Sequence, residues 1–468
     1  MMLFAIAVVM EQDDQATFQI KNLNREVNLL DGIYYKEITR LQVQVLNPKA
    51  EKTFYYAIPF HFWNRVSFIH ARNIRTNKVL NTQIVRRDEF QANLFFVKID
   101  LDALPEPGEK LSLFFEYHVA PGGEYTNKFS TLLTTHEGYE GSYEDEAKRD
   151  RQFQVTFAAT SPQIYDISTQ KTVVKVPVGN YISHNTTFSP VQYSHDKLDL
   201  GPIEYAPPLE FENITVKFSC NHPTLAVSSK RSVFVSGLPV KIGDFNNQLQ
   251  KVHVIDELNF TNTDPAPEGL RESRLHLYIL KQMRNRLVDE ISIQIPNAEN
   301  IKVYDRVGKV ASVKKHKGAE MTQVVVHPRH ELLGQQKGQI IVEYDTNLVQ
   351  QDGETRGFIM PPAARITPTP YFTEMKVCAY PASTSKNVTY MAPFPVDYEE
   401  ESDAERALDI SNRHGMCFGK VLADNDYTLT NFAMKYEIDN ELVKSRLIKI
   451  AGGIATFVMS AWLLRLLL

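Results

Sequence analysis

The sequence predicts a mainly β protein, with two tandem β-sandwich-like domains plus one C-terminal transmembrane helix. Three observations predict it. Tyr and Phe are abundant, at 21 and 26 residues, and stand among many Val, Ile and Thr. These are the residue types that suit a pleated, half-buried surface. They fall in short runs that alternate apolar and polar and stop at Pro, Gly and Asn turns. The order of those runs is then repeated once, at a spacing of roughly 220 residues, as duplication produces.

The chain opens on Met2–Met10 (MLFAIAVVM), an apolar run met at once by Glu11, Gln12, Asp13 and Asp14. Residues 1–10 read as a signal peptide or its remnant, with Ala5-Ile6-Ala7 as a small-residue cleavage site. A buried first strand is the competing reading. The first domain, 20–230, begins with Ile38–Val45, which alternates and stops at Asn47-Pro48. Leu94–Ile99 and Leu111–Tyr117 flank the Pro105–Gly108 turn. Gln152–Ala158, Thr172–Val176, Ile214–Phe218 and Ser232–Val235 are the further expected strands.

The second domain, 231–440, repeats the signals. Val252–Phe260 ends in a polar turn as Ile38–Val45 does. Ile291–Pro296 matches Phe54–Pro59, and Asn300 follows it as Asn73 follows the first. Gln323–His327, the Gly334–Gly338 loop and Gln339–Tyr344 match the strand, turn and strand that end at Tyr117. Glu374–Ala379 is paired with Gln152–Ala158, and Thr430–Tyr436 with Asn213–Phe218. Gly269–Val288 suits a helix or a long hairpin. Glu399–Glu401 reads as a solvated loop, followed by a short helix over Ser402–Leu408.

The stretch 450–468 contains one charge, Arg465. At 1.5 Å per residue it reaches roughly 28 Å, about one bilayer core. Gly452, Thr456 and Ser460 recur every four residues, a small-residue face that lets a partner helix approach. The flanks Lys444, Arg446 and Lys449 would by themselves keep the large part cytosolic, whereas a cleaved signal would place it on the far side of the membrane.

Composition excludes little beyond nucleic acid, for which a net charge of −5 and no long basic patch give no support. Three cysteines are too few for a disulfide scaffold. Cys378 and Cys417 can pair in an oxidising lumen with Cys220 left buried, or all three can be core thiols. Four N-x-[ST] sequons start at Asn185, Asn213, Asn259 and Asn387, close to what composition alone yields.

No catalytic constellation stands out, so no catalytic residue, cofactor or metal is expected. His136–Glu140 lacks the second histidine of HExxH, and His327-Pro-Arg-His330 has proline between its histidines. Asp100-Leu-Asp102 and Asp424-Asn-Asp426 have a DxD form that can hold a divalent ion on a sugar nucleotide. Neither is accompanied by a nucleotide-binding pattern, and both read as polar turns. Phosphate cradles and nucleophile elbows are missing from the sequence.

Several segments together resemble the ribophorin I family. Leu200–Leu209 is similar to its G-P…P-P segment. Asn221–Leu225 with Arg231 and Val233–Ser236 is similar to its N-x-P…R stretch. Ser273-Arg274, Ile293–Pro296, Tyr304–Val310, Pro328-Arg329 and Leu333-Gly334 follow in the family's order. The chain departs from it in lacking the tryptophan after Ser236 and the Gly-Gly-Trp ending, and in lacking the cytosolic domain of animal members. It therefore resembles a divergent, protist-like member.

The resemblance implies a non-catalytic subunit of the endoplasmic-reticulum oligosaccharyltransferase complex, supporting N-linked glycosylation. It implies a single-pass type I glycoprotein with its large domain lumenal. It also implies that the chain scaffolds a catalytic multispanning subunit, contacts other subunits and handles nascent polypeptides. A single-pass cell-surface receptor or adhesin with two β modules is the alternative. A cytosolic tail-anchored tether and a lumenal enzyme with an unusual site are the remaining readings.

Overall fold

The computed structural model describes residues 18–467 apart from 30–33, 47–51, 86–92, 103–107, 109, 121–150, 178, 180, 195, 221–224, 236–251, 264–287, 333, 347–348, 353–354, 383–384 and 405–412. The expected signal segment Met2–Met10, the Ser273-Arg274 pair, His136–Glu140 and nearly all of Gly269–Val288 lie outside the described residues.

Thirteen strands precede residue 221 among the described residues. They are β1 (Phe18–Asn28), β2 (Tyr35–Val45), β3 (Thr53–Pro59), β4 (Val66–Asn73), β5 (Asn81–Val85), β6 (Leu94–Asp100), β7 (Lys110–Val119), β8 (Arg151–Ala158), β9 (Gln170–Lys175), β10 (Tyr181–Thr186), β11 (Val191–Ser194), β12 (Lys197–Ile203) and β13 (Asn213–Cys220). Fifteen follow. They are β14 (Leu225–Val235), β15 (Val252–Asn262), β16 (Ile291–Pro296), β17 (Ala298–Tyr304), β18 (Val313–Lys317), β19 (Met321–Val326), β20 (Lys337–Thr346), β21 (Val349–Asp352), β22 (Thr355–Met360), β23 (Arg365–Thr367), β24 (Pro370–Tyr380), β25 (Ser385–Met391), β26 (Tyr398–Ala404), β27 (Arg413–Ala423) and β28 (Phe432–Ile438). A single α-helix, α1, runs Asn440–Leu467.

The first half forms a seven-stranded sheet, β11-β12-β9-β1-β2-β7-β4, with two three-stranded sheets, β5-β6-β3 and β10-β13-β8. The second half forms β26-β27-β24-β14-β15-β20-β17, with β18-β19-β16-β23 and β21-β22-β28-β25. Strand for strand the orders coincide. The pairing is antiparallel except where β1 meets β9 and β14 meets β24, and those two parallel contacts occupy equivalent places. Only β21 and β23 lack a counterpart among the described strands of the first half. Alternation along the long strands drives this arrangement. In β15, Val252, Val254, Leu258 and Phe260 are buried at even positions, while Asn259 is exposed. One core gathers residues from Phe18 to Phe218 and another from Leu225 to Tyr436.

The topology corrects two expectations. Glu374–Ala379 lies in β24, whose counterpart is β9, while β8 corresponds to β22. The extra strands β21 and β23 displaced the apparent match. Glu399–Glu401 is no loop; it is paired to Cys417, Phe418 and Met416 within β26. β26 is an edge strand, and an edge leaves one side open to water, where acidic side chains are tolerated.

α1 also differs from the expected span over 450–468. Among the described residues no helix is long and apolar enough to cross a membrane. The first turns of α1 carry Glu441, Lys444, Arg446 and Lys449, and side chains past Trp462 lie outside the described residues.

Each half is pinned by a buried arginine. Arg25 of β1 stands opposite Thr39 of β2, and Arg231 of β14 stands opposite Asp256 of β15. Each guanidinium crosses the core and donates to a backbone carbonyl at the end of the facing strand, Ala158 in one half and Pro361 in the other.

Candidate functional site

The most polar buried place in the molecule is the seam between the two halves. His118, next to last in β7, is flanked in the sheet by Lys36 of β2 and Phe68 of β4. It projects toward the turn after β27, where Asp424 caps the 3-10 turn Asn425–Leu429 by accepting from the Asp426 amide at 2.7 Å. An Asp in that position is a good cap, because its carboxylate takes an amide the turn leaves unbonded.

His118 and Asp424 are both fully buried. Nδ1 of His118 lies 3.0 Å from Asp424 Oδ2 and 3.7 Å from Asp426 Oδ2, and Nε2 lies 3.1 Å from Glu116 Oε1. Lys36 Nζ sits 3.2 Å from Asp426 Oδ2. Burial alone would lower the imidazole. The hydrogen bonds to Asp424 and Glu116 outweigh it, against some repulsion from Lys36, and raise His118 above its ordinary value. Phe68 stacks on the imidazole at 4.7 Å and touches Tyr427 at 4.9 Å. Beside this cluster the Tyr34 hydroxyl donates to the Pro370 carbonyl at 2.8 Å, and Tyr34, Ala120, Ala226 and Tyr371 form a small apolar patch across the seam.

His118, Asp424 and Asp426 could each offer a ligand atom within 4.8 Å of the others. Both imidazole nitrogens already face carboxylates, however, and the Lys36 ammonium neutralises Asp426. The donor set is that of an ion-paired clasp. One half of the DxD-like signals in the sequence therefore has a job, and it is to join the halves. In the other, Asp100 accepts from Asn81 and Asp102 from Asn73 at the end of β6, on the surface.

The arginine pins are strongly polarised. Glu37 takes hydrogen bonds from Arg25, Tyr35, Tyr56 and Tyr117. Burial would raise its carboxyl, but Arg25 and the hydroxyls hold it below the ordinary range. Arg231 grips Asp256 through Nε at 2.6 Å and Nη2 at 2.7 Å, a bidentate pair.

All four sequon asparagines, Asn185, Asn213, Asn259 and Asn387, are exposed. Asn185 faces Thr215 across β10 and β13, so it shares one sheet face with Asn213. The Asn387 amide donates to Glu437 at 2.8 Å. Cys378 and Cys417 are cross-strand neighbours in β24 and β27 and are joined by a disulfide, with Cα atoms 4.0 Å apart. Gly452, Thr456 and Ser460 are exposed on one face of α1. Their hydroxyls are turned inward: Thr456 donates to the Gly452 carbonyl and Ser460 to the Thr456 carbonyl, each at 2.8 Å.

The segments that carried the family resemblance are held by recognisable devices. Gly201 has φ +93°, and a Cβ there would lie 3.1 Å from the Ile203 amide nitrogen and 3.2 Å from the Gln170 carbonyl. Arg231 is the pin of the second half. Asp305, from Tyr304–Val310, accepts from the Val307 and Gly308 amides and pairs with Arg329, from Pro328-Arg329. The Arg329 contact holds the Asp305 carboxyl below its usual value.

The family model described as Ribophorin I matches residues 18–465. The chain belongs to the ribophorin I family. A relative in Caenorhabditis elegans, dolichyl-diphosphooligosaccharide--protein glycosyltransferase subunit 1, is 24% identical over 296 residues, covering 60% of this chain and 47% of the relative. The chain thus spans about half the length of the curated relative it matches.

Among solved structures, leukotriene A4 hydrolase from Saccharomyces cerevisiae is 9% identical with a TM-score of 0.27, covering 44% of this chain and 31% of that one. An M1 zinc metallopeptidase from Deinococcus radiodurans is 12% identical with a TM-score of 0.25, covering 49% and 50%. A putative protease from Parabacteroides distasonis is 8% identical with a TM-score of 0.25, covering 90% and 99%. Likenesses this slight say nothing about chemistry in this ribophorin I family member.

Sequence reasoning missed the seam and both pins. Arg25, Glu37, Arg231 and Asp256 sat in strands expected to alternate, and a charge on a core-facing position was the available signal.

Proposed function

We propose that this chain is a non-catalytic subunit of an oligosaccharyltransferase complex in the endoplasmic-reticulum membrane. The observation that carries the reading is the family match over residues 18–465, together with the name of the worm relative. In this reading two β modules in the lumen scaffold a multispanning catalytic subunit and pass acceptor chains to it.

Three features support it. The Cys378–Cys417 disulfide suits an oxidising lumen. The sequon asparagines are open to solvent, as glycan acceptors must be. Ile450, Ile454, Phe457, Val458, Met459 and Trp462 are exposed around α1, and a helix that is apolar all round needs a non-aqueous neighbour. We assign α1 and the residues to 468 to the bilayer, with Gly452, Thr456 and Ser460 against a partner helix.

Affinity purification of the full chain from solubilised membranes, followed by mass spectrometry, tests the proposal. A multispanning glycosyltransferase is the expected companion. Recovery of the chain as a free monomer, with label at the plasma membrane, would favour the receptor or adhesin instead. Protease sensitivity of the large part in sealed microsomes would exclude both.

A further inference from the structure

The second half holds a cleft that the first half fills. Pro59 and Pro296 end equivalent strands. Setting one on the other places Phe95 of β6 against Thr322 of β19, since Ile58 pairs with Phe95 and Ile295 with Thr322. The same alignment sets Ile84 of β5 against Lys315 of β18, because they face Val97 and Val324.

In the first half Phe95 is fully buried and meets Trp63 edge-on, from the 3-10 turn Phe60–Arg65. In the second half only Asn297 separates β16 from β17, so no such turn covers the place. What remains is a cleft of about 340 Å³ lined by Ala298, Asn300, Ile301, Lys315, Lys317 and Thr322.

Its lining is unusual for the mouth of a core. Alternation along β18 puts Lys315 and Lys317 on the same face as Val313, opposite the buried Val324 and Thr322. Lys314 points the other way. Lys315 Nζ gives one proton to the Ile301 carbonyl at 2.6 Å, leaving two. Among the described residues neither Lys315 nor Lys317 has a carboxylate within 4.0 Å. Thr322 is 2% exposed, and its hydroxyl has no hydrogen-bond partner. A buried hydroxyl without a partner costs free energy, and two inward cations invite an anion.

We propose that this cleft binds a phosphate-class dianion, held by the Lys315 and Lys317 ammonium groups and by the Thr322 hydroxyl. Lysine binds phosphate as a point charge with rotatable donors, which suits two lysines on one strand face. The volume admits a phosphoryl group with a small substituent. The source is free phosphate or the phosphate ester of a headgroup.

The test titrates the purified full chain in detergent with inorganic phosphate and, separately, with glycerol 3-phosphate, followed by phosphorus NMR. Saturable binding is expected, weakened roughly tenfold or more by Lys315→Gln and by Lys317→Gln. Lys314→Gln, the same charge change on the opposite face, should leave it unchanged. Tighter inorganic phosphate marks a free ion as the ligand, and tighter glycerol 3-phosphate marks a headgroup.

Thr322→Phe, which restores the first half's residue, should abolish binding. Should it fail to fold, the lysine variants decide alone, because they change exposed positions. No saturation by either probe at about 10 mM, equal loss with Lys314→Gln, or equal displacement by acetate would overturn the proposal.

Discussion

The two halves place the same arginine on the same strand and answer it with different acids. In the first, the residue opposite Arg25 is Thr39, and the carboxylate comes from Glu37, two positions earlier on β2. In the second, Asp256 stands directly opposite Arg231. The tyrosine on the next strand stays put, as Tyr117 or Tyr344, and so does the carbonyl reached across the core. The fold therefore fixes the cation and the backbone acceptor, while the acid is free to move along its strand. What is preserved is neutralisation of a buried charge; one particular pair is dispensable.

That contrast can be broken most forcefully at Asp256. Asp256→Asn leaves Arg231 buried without a counterion and should destabilise the second half by about 3–5 kcal/mol. Glu37→Gln should cost the first half less, because Arg25 keeps the Tyr35 hydroxyl and the Ala158 carbonyl. Denaturant melts followed by hydrogen exchange in each half would read the two effects, and equal losses would refute the asymmetry.

A second difference lies on the rung between β24 and β27. The disulfide there occupies positions that the first half fills with Val173 and Asp199, which are also paired. Cys378→Ser with Cys417→Ser should cost roughly 2–4 kcal/mol, for a loop of 39 residues. Loss confined to exchange protection of the second half is the expected pattern, checked against reducing agent on the unaltered chain.

The seam comes next in size. His118 is raised in the folded chain, so the stability it lends is full below about pH 6.5, its unfolded value. That stability fades as pH rises through the higher folded value. Protection of the amides near Asp424 should fall between neutral and alkaline pH. His118→Ala should cost about 1–3 kcal/mol and remove that dependence. The smallest effect belongs to the exposed pair of Arg329 with Asp305. Arg329→Ala should change stability by under about 1 kcal/mol, since solvent screens it.

Much of the fold was legible because alternation and turn chemistry are local. Ile38–Val45, Ile291–Pro296 and Gln339–Tyr344 all fall in strands, and the repeated order follows from them. Pairing was less legible. Glu374–Ala379 was matched to β8 because nothing in composition marks β21 and β23 as additions. Glu399–Glu401 looked like a loop because an edge strand tolerates charge on its open side. The seam joins His118 to Asp424, 306 residues apart, and no spacing rule spans that distance.

The parallel contacts of β1 with β9 and β14 with β24 set a timetable for synthesis. Phe18 leaves the ribosome long before Gln170, so the central rung of the first module stays open for about 150 residues of elongation. The hairpin of β1 and β2 must persist meanwhile with one backbone edge bare. A chaperone that shields that edge during translation would serve this protein better than one that meets it afterward.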